Sequence, residues 1–255
     1  MPDRPPVFVH LLPSLMPPGC LIGGTAVVID VLRATTVMIQ ALASGCQAII
    51  PCLEIDEAQD VHGRLSAGTA FLGGERGGRP IPGFDLGNSP ADYTPDRCRG
   101  KTLVMTTTNG TRAIRACQQA DRVYVAGFVN LAAMARRLEQ VLDGPNPQPV
   151  HLVCAGTGGE ISWEDTLLAG SIFRALSFFH GQYTPAGNDS ARLAEHAAPR
   201  NFTDLCQMLR AGTGGQNVQK IGLEKDINDC CQVDRYSILA SWQPQPSPGQ
   251  ITVER

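Results

Sequence analysis

The chain has 255 residues, 43% hydrophobic and 18% charged, enough to bury one large core as a single domain. Its 21 basic and 24 acidic residues are interspersed, which speaks against a nucleic-acid stripe and a polybasic membrane patch and leaves small-molecule chemistry. No run approaches the roughly 20 apolar residues of a membrane span. The start, MPDRPPVFVHLLPSLMPPG, is broken by prolines, and nine cysteines without a CxxC pair read as reduced core residues, so a cytoplasmic location is expected.

Val7 to Leu12 reads as a short strand, and the Pro/Gly-rich stretch from Pro13 to Gly24 as a loop. Val27 to Thr36, VVIDVLRATT, follows: a buried strand that delivers one carboxylate, Asp30, to its end, and then a polar opening of a helix. Ligand crevices in open α/β sheets lie beyond the carboxyl ends of strands, so Asp30 can hold a cation there while Arg33, Thr35 and Thr36 hold oxyanions. A strand-end Asp that only caps the helix is the competing reading. A helix over Thr35–Ser44 stopped by Gly45, a strand over Cys46–Ile50 ended by Pro51, a helix over Glu54–Ala67 and a strand from Ala70 continue a β-α-β-α-β order. That alternation implies parallel strand pairs with helices on both faces.

The segment Gly73–Pro90, GGERGGRPIPGFDLGNSP, holds six glycines and three prolines in eighteen residues and reads as an ordered functional loop rather than a flexible excursion. Arg76 and Arg79 suit anionic oxygens there, and Glu75 or Asp85 a cation. Lys101–Cys117, KTLVMTTTNGTRAIRAC, then repeats the first strand-to-helix turn at an ungapped offset of 76, with Asp30 falling on Thr106. Its turn, Thr107, Thr108, Asn109 and Gly110, with Arg112 inside the helix, suits a phosphate or sulfonate, against simple capping. Arg122–Ala126 and Val150–Ala155 read as strands, and Asn130–Leu142 and Trp163–Phe179 as helices, the last with Glu164 and Asp165 in its first turn. Beyond His180 the pattern weakens into a polar excursion, GQYTPAGNDS, and short helices at Ala191–His196, Phe202–Leu209 and Gln216–Ile221; Gln243–Gln250 is Pro/Gln-rich and makes 243–255 read as a tail.

Carboxylates beside anion-binding turns suggest phosphate-ester chemistry with Mg²⁺, which takes one or two protein carboxylates and fills its shell with water and phosphate oxygens. Leu32 stands where an aspartyl-phosphate DxD enzyme needs its second Asp, no cysteine is followed by an arginine six positions on, and GxxxxGK[ST], GxGxxG and HExxH are absent. The runs DVLRATT, GGERGG, GFDLGNSP, TTTNGTRA, CAGTGGEISWEDTLLAG and LEKDINDC, in this order between about Thr25 and Asp234, resemble the ComB family of 2-phosphosulfolactate phosphatases. The resemblance implies a three-layer α/β/α fold with a largely parallel or mixed sheet, Mg²⁺ dependence, and hydrolysis of (2R)-2-phospho-3-sulfolactate, an ester on the way to coenzyme M. The ending SILASWQPQPSPG departs from the more regular apolar close expected of such chains.

On that basis Asp30, Glu75, Asp85, Glu164 and Asp165 are the expected metal-side acids, and Asp30, Arg33, Glu75 and Asp165 the catalytic set. Arg33, Arg76, Arg79 and Arg112, with Thr35, Thr36, Thr107, Thr108, Asn109 and Gly110, are expected to clamp a substrate with two anionic ends. Attack by a metal-activated water is expected, with a phosphorylated Asp30 as the alternative. The expected partner is a small phosphorylated sulfonate or hydroxy acid, with no nucleic acid and no membrane; a homodimer is left open. A phosphatase for another small phosphorylated hydroxy acid and a non-catalytic binder of anionic metabolites are the alternative functions.

Overall fold

The computed structural model of the chain describes residues 4–178, 184–245 and 247–254. The elements in chain order are β1 (Val7–His10), β2 (Thr25–Ile29), α1 (Ala34–Ala43), β3 (Ala48–Cys52), α2 (Ile55–Arg64), β4 (Ala70–Arg76), β5 (Arg79–Pro80), α3 (Pro95–Cys98), β6 (Thr102–Thr106), α4 (Gly110–Ala116), β7 (Arg122–Ala126), α5 (Leu131–Asp143), β8 (Val150–Cys154), α6 (Trp163–Phe178), α7 (Asp189–Ala197), α8 (Leu205–Ala211), α9 (Thr213–Lys220), α10 (Glu224–Cys230), β9 (Ala240–Gln243) and β10 (Gln250–Val253).

The strands form one mixed sheet in the order β1-β8-β2-β7-β9-β10-β3-β6-β4-β5. It consists of two parallel blocks, β1-β8-β2-β7 and β3-β6-β4, joined by the antiparallel hairpin β9–β10. β9 pairs antiparallel with β7, and β10 meets β3 through the antiparallel pair Ile251↔Ile49. The two similar strand-to-helix turns are the two crossings between the blocks: α1 carries the chain from β2 in the first block to β3 in the second, and α4 carries it back from β6 to β7.

β2 is buried along its whole length, which is why its sequence shows no polar alternation. Val27 and Ile29 face α5 and α6 across a core that includes Leu138, Leu168 and Ile172. Ala26 and Val28, together with Ile49 and Leu103 of the other block, pack against Val37, Met38 and Ile39 of α1 and Ile114 of α4. α2 lies over a smaller cluster made by Cys52, Leu72 and Val104. Helices therefore cover both faces, giving the expected three layers. Along the sheet the second block runs against the first, yet the turns that follow β2 and β6 meet: a Cβ on Gly110 would stand 2.8 Å from Asp30 Oδ2.

Three expectations are corrected. Pro51 does not end its strand but lies inside β3; β10 pairs with β3 at Ile49 alone, so β3 behaves as an edge from that point. The 243–255 stretch is not a tail: Trp242 and Ile251 are buried, and β9 and β10 occupy the middle of the sheet while the prolines fall in the connection between them. Nor are all nine cysteines reduced, because α8 and the end of α10 pack closely enough to join Cys206 and Cys231, with Cα atoms 5.5 Å apart. Residue 179, at the expected end of the long helix, and residues 181–183 of the polar excursion lie outside the described residues. Among the described residues no helix is long and apolar enough to cross a membrane.

Candidate active site

Four acids gather where β2, β4 and β8 end. Asp30, Glu75, Glu164 and Asp165 are all buried. Asp30 follows β2 directly, and its Oδ1 accepts from the Ala34 N–H at the start of α1 (3.3 Å). Burial, aided by the charges of Glu75 and Glu164 and opposed by the Ala34 hydrogen bond and Arg33, raises its pKa to about 7. The start of α4 must come very close to it: a Cβ on Gly110 would stand 2.8 Å from Asp30 Oδ2 and 2.6 Å from the Ala34 Cβ. Only glycine allows the two turns to meet there.

Glu75 fastens two loops. Its Oε1 accepts from the Thr108 N–H (2.7 Å) and its Oε2 from the Gly78 N–H (2.7 Å). Asp165 joins the ends of β2 and β8, accepting from the N–H groups of Val31 (2.8 Å) and Gly156 (3.2 Å). Burial and the neighbouring charges of Asp30 and Glu164 push its pKa well up. Glu164 lies against the first turn of α9, where a Cβ on Gly214 would collide with Oε1 at 1.7 Å. Its Oε2 is buried without a hydrogen-bond partner, and burial raises its pKa.

Arg33, 3% exposed, acts as a strut: it donates to Asp226 Oδ2 (2.5 Å) on α10, to Ser89 Oγ (3.4 Å) and to the Gly78 carbonyl (2.7 Å). Ser89 also donates to Asp226 (2.8 Å), so one buried ion pair ties the Gly-rich loop, α10 and the end of β2 together. Asp30, Arg33, Glu75, Thr108 and Asn109 line a cavity of about 360 Å³, the size of a metabolite site. Thr157 and Gly158 after β8 also line it, as do Asn88 and, on α9, Asn217 and Lys220.

Other expected residues lie elsewhere. The Thr35 hydroxyl donates to the Ala126 carbonyl (2.7 Å) and accepts from the Asp30 N–H (3.0 Å), and that of Thr36 donates to the Val31 carbonyl (2.9 Å). Thr107 Oγ1 accepts from the Thr111 N–H in the first turn of α4 (3.2 Å). Arg76 is turned toward the Leu53 carbonyl and Thr106 Oγ1 (both 2.9 Å), and Arg79 is exposed on the short β5. Asp85 is exposed and accepts from the Leu72 N–H (2.8 Å), fixing the loop beside β4. Arg112, 61% exposed, pairs with Glu54 at 3.2 Å. An Arg112→Ala variant is therefore expected to stay within about 1 kcal/mol of the parent stability, with KM unchanged in a steady-state assay.

Asn88, Asn217, Lys220, Ser89 and Asp226 were not foreseen as site residues. Asn88 Oδ1 is buried without a partner, and Asp226 sits in the run LEKDINDC, already singled out by its resemblance. An acid buried inside such a run was the available signal; Asn217 and Lys220, on a short polar helix, carried none.

Buried carboxylates beside a metabolite-sized cavity, where two strand-to-helix turns meet, make this an α/β protein with a polar, acid-lined site at the strand ends. The chain belongs to the 2-phosphosulpholactate phosphatase family, which matches residues 10–245. It is 38% identical over 241 residues to a protein of Symbiobacterium thermophilum, covering 94% of this chain and 98% of that one. It is 36% identical over 250 residues to one of Thermosynechococcus vestitus (94% and 97%) and 36% identical over 227 residues to one of Clostridium acetobutylicum (89% and 91%). All three are named probable 2-phosphosulfolactate phosphatase.

Proposed function

We propose that the chain is a phosphoric monoester hydrolase that converts (2R)-2-phospho-3-sulfolactate to (2R)-3-sulfolactate and phosphate, in the cytoplasm, with Mg²⁺. The observation that carries the reading is the presence of Asp30 and Glu75, both buried, on the wall of a cavity that also presents Lys220. An anion site gains nothing from carboxylates beside its ligand unless a cation intervenes.

The donor set fits Mg²⁺. The cavity wall offers hard carboxylate oxygens, and Glu164 Oε2 is a buried acceptor still without a donor. These acids do not close into a three-carboxylate cage: among the described residues the one trio of His, Cys, Asp or Glu with ligand atoms within 4.8 Å of one another lies elsewhere. Two carboxylates completed by water and phosphate oxygens are what Mg²⁺ commonly takes. Asp30 and Glu75 would hold it, with Glu164 and Asp165 behind them; when bound, it would neutralise phosphoryl charge and acidify water.

The chain's own groups bind and orient. Arg33, fixed by three acceptors, sets a positive charge at the cavity wall where phosphoryl charge develops. Lys220, with Asn217, is placed to take the second anionic end, and Asn88 Oδ1 is free to accept from a substrate hydroxyl or water. Attack by water rather than by Asp30 is favoured because Leu32 stands where an aspartyl-phosphate enzyme needs its second Asp.

Phosphate release measured over phosphosulfolactate, phospholactate and phosphoglycerate, with Mg²⁺ and with chelator, tests the reading. Turnover of the sulfonated ester that stops on chelation is the expected result. Preference for a non-sulfonated ester would move the substrate, and no turnover of any would leave an anion binder. In the same assay Lys220→Ala is expected to raise KM about 10–100-fold, the worth of one charged hydrogen bond, with a smaller effect on kcat.

A further inference from the structure

We propose that His10, Cys20 and His151 form a second metal site, for a thiophilic transition ion with zinc as its natural occupant, on the β1–β8 edge of the sheet. Their ligand atoms all lie within 4.8 Å of one another. None of the three lines the cavity of the acids.

The sheet register builds the site. Phe8 pairs with His151, so Phe8, His10 and His151 project from the same face. The Phe8 and His151 rings stack at 4.9 Å and 6°, and those of His10 and His151 at 5.4 Å and 13°, which fixes both imidazoles. His10 Nε2 and His151 Nδ1 are 3.1 Å apart. Two nitrogens bound tetrahedrally to zinc at 2.0–2.1 Å stand roughly 3.3 Å apart, so the spacing is close to that of a chelating pair, and on binding each ring turns its nitrogen from its neighbour toward the metal. Cys20 reaches the pair from the Pro13–Gly24 loop, and it is the one free cysteine that is not buried.

A plain His–His hydrogen bond leaves this arrangement incomplete. His151 Nε2 is buried without a partner. Burial lowers the pKa of His10, and burial with the nearby His10 lowers that of His151 to about 4, so both rings are neutral at pH 7, the form a metal requires. Two imidazoles and one thiolate leave a fourth position, and the cavity of about 520 Å³ beside them, walled in part by Phe8, Leu15 and Pro17, gives it room for water or a small ligand. Soft sulfur with imidazole favours zinc over Mg²⁺, in contrast to the all-oxygen acid cluster. On binding, the Cys20 Sγ–H bond breaks and its proton passes to solvent, the N–H proton of the His10–His151 hydrogen bond moves to the other nitrogen of its own ring, and the sulfur and both bared nitrogens each give an electron pair to the metal.

The test uses the full chain stripped with chelator and then titrated with Co²⁺ or Zn²⁺. The expected results are a thiolate-to-cobalt charge-transfer band, about one zinc retained per chain after dialysis, and slowed alkylation of Cys20 in the zinc-loaded protein. Cys20→Ser should abolish the band and His151→Gln should weaken zinc retention, with circular dichroism confirming that both variants are folded. Cation taken up by the acid cluster alone gives no sulfur band. Absence of the band in the parent chain, or Cys20 alkylation unaffected by zinc, overturns the proposal without reference to any variant.

Discussion

Asp30→Asn is expected to lower kcat by at least about 10²-fold, the scale of losing a positioned catalytic carboxyl, while the variant melts higher than the parent above pH 7. The second half follows from linkage. The Asp30 carboxyl titrates near 3.8 when unfolded and near 7 when folded, because burial and the charges of Glu75 and Glu164 disfavour its ionised form. Between those values the folded chain binds the proton more tightly, so its stability falls as pH rises from about 4 to about 7 and then levels. Asparagine removes this slope. Calorimetric melts of both proteins across pH 4–8 read the difference directly; parallel curves would show that Asp30 ionises normally. Mg²⁺ should raise the parent's Tm more at pH 8 than at pH 5, because only the ionised carboxylate favours the cation, and Asp30→Asn should blunt the rise.

Asp226→Ala is expected to cost about 3–5 kcal/mol, because it leaves the Arg33 guanidinium buried without its charged partner. For a chain of this length that corresponds to roughly a 10 °C fall in Tm. Activity should fall further than unfolding explains, since Ser89 and the Gly-rich loop lose the same anchor. The double variant Arg33→Met/Asp226→Leu separates the two effects: apolar replacement of both partners should restore much of the Tm and none of the activity. Restored activity in the double variant would make the pair purely structural.

The strand and helix order was readable in the sequence because β2, β6, β7 and β8 are short apolar runs punctuated by glycine and polar turns, the pattern of a sheet buried on both faces. The repeat of the strand-to-helix turn was readable for the same reason. β9 and β10 were not, since a two-residue alternation barely registers in two four-residue strands with prolines between them. The acids Asp30, Glu75, Glu164 and Asp165 were legible as polar groups at the ends of apolar strands or the start of a helix. Orientation was not: Arg33, Arg76 and Arg112 look alike in sequence, yet one is a buried strut, one bonds to a backbone carbonyl and a threonine, and one is a surface ion pair. What separates them is the neighbour that each meets across 193, 23 and 58 residues of chain respectively, and no local pattern encodes that.

The placement of the β9–β10 hairpin sets the order in which the molecule can be made. Both crossings between the blocks are complete once β7 has emerged from the ribosome, but β7 and β3 have no strand between them until residues 240–253 arrive. Through the synthesis of more than a hundred residues a nascent chain would carry two open edges, each a template for wrong pairing. The last strands made thus act as the closing seam, and a ribosome stalled or a message cut shortly before them would release a chain with α1 to α10 and an unjoined sheet.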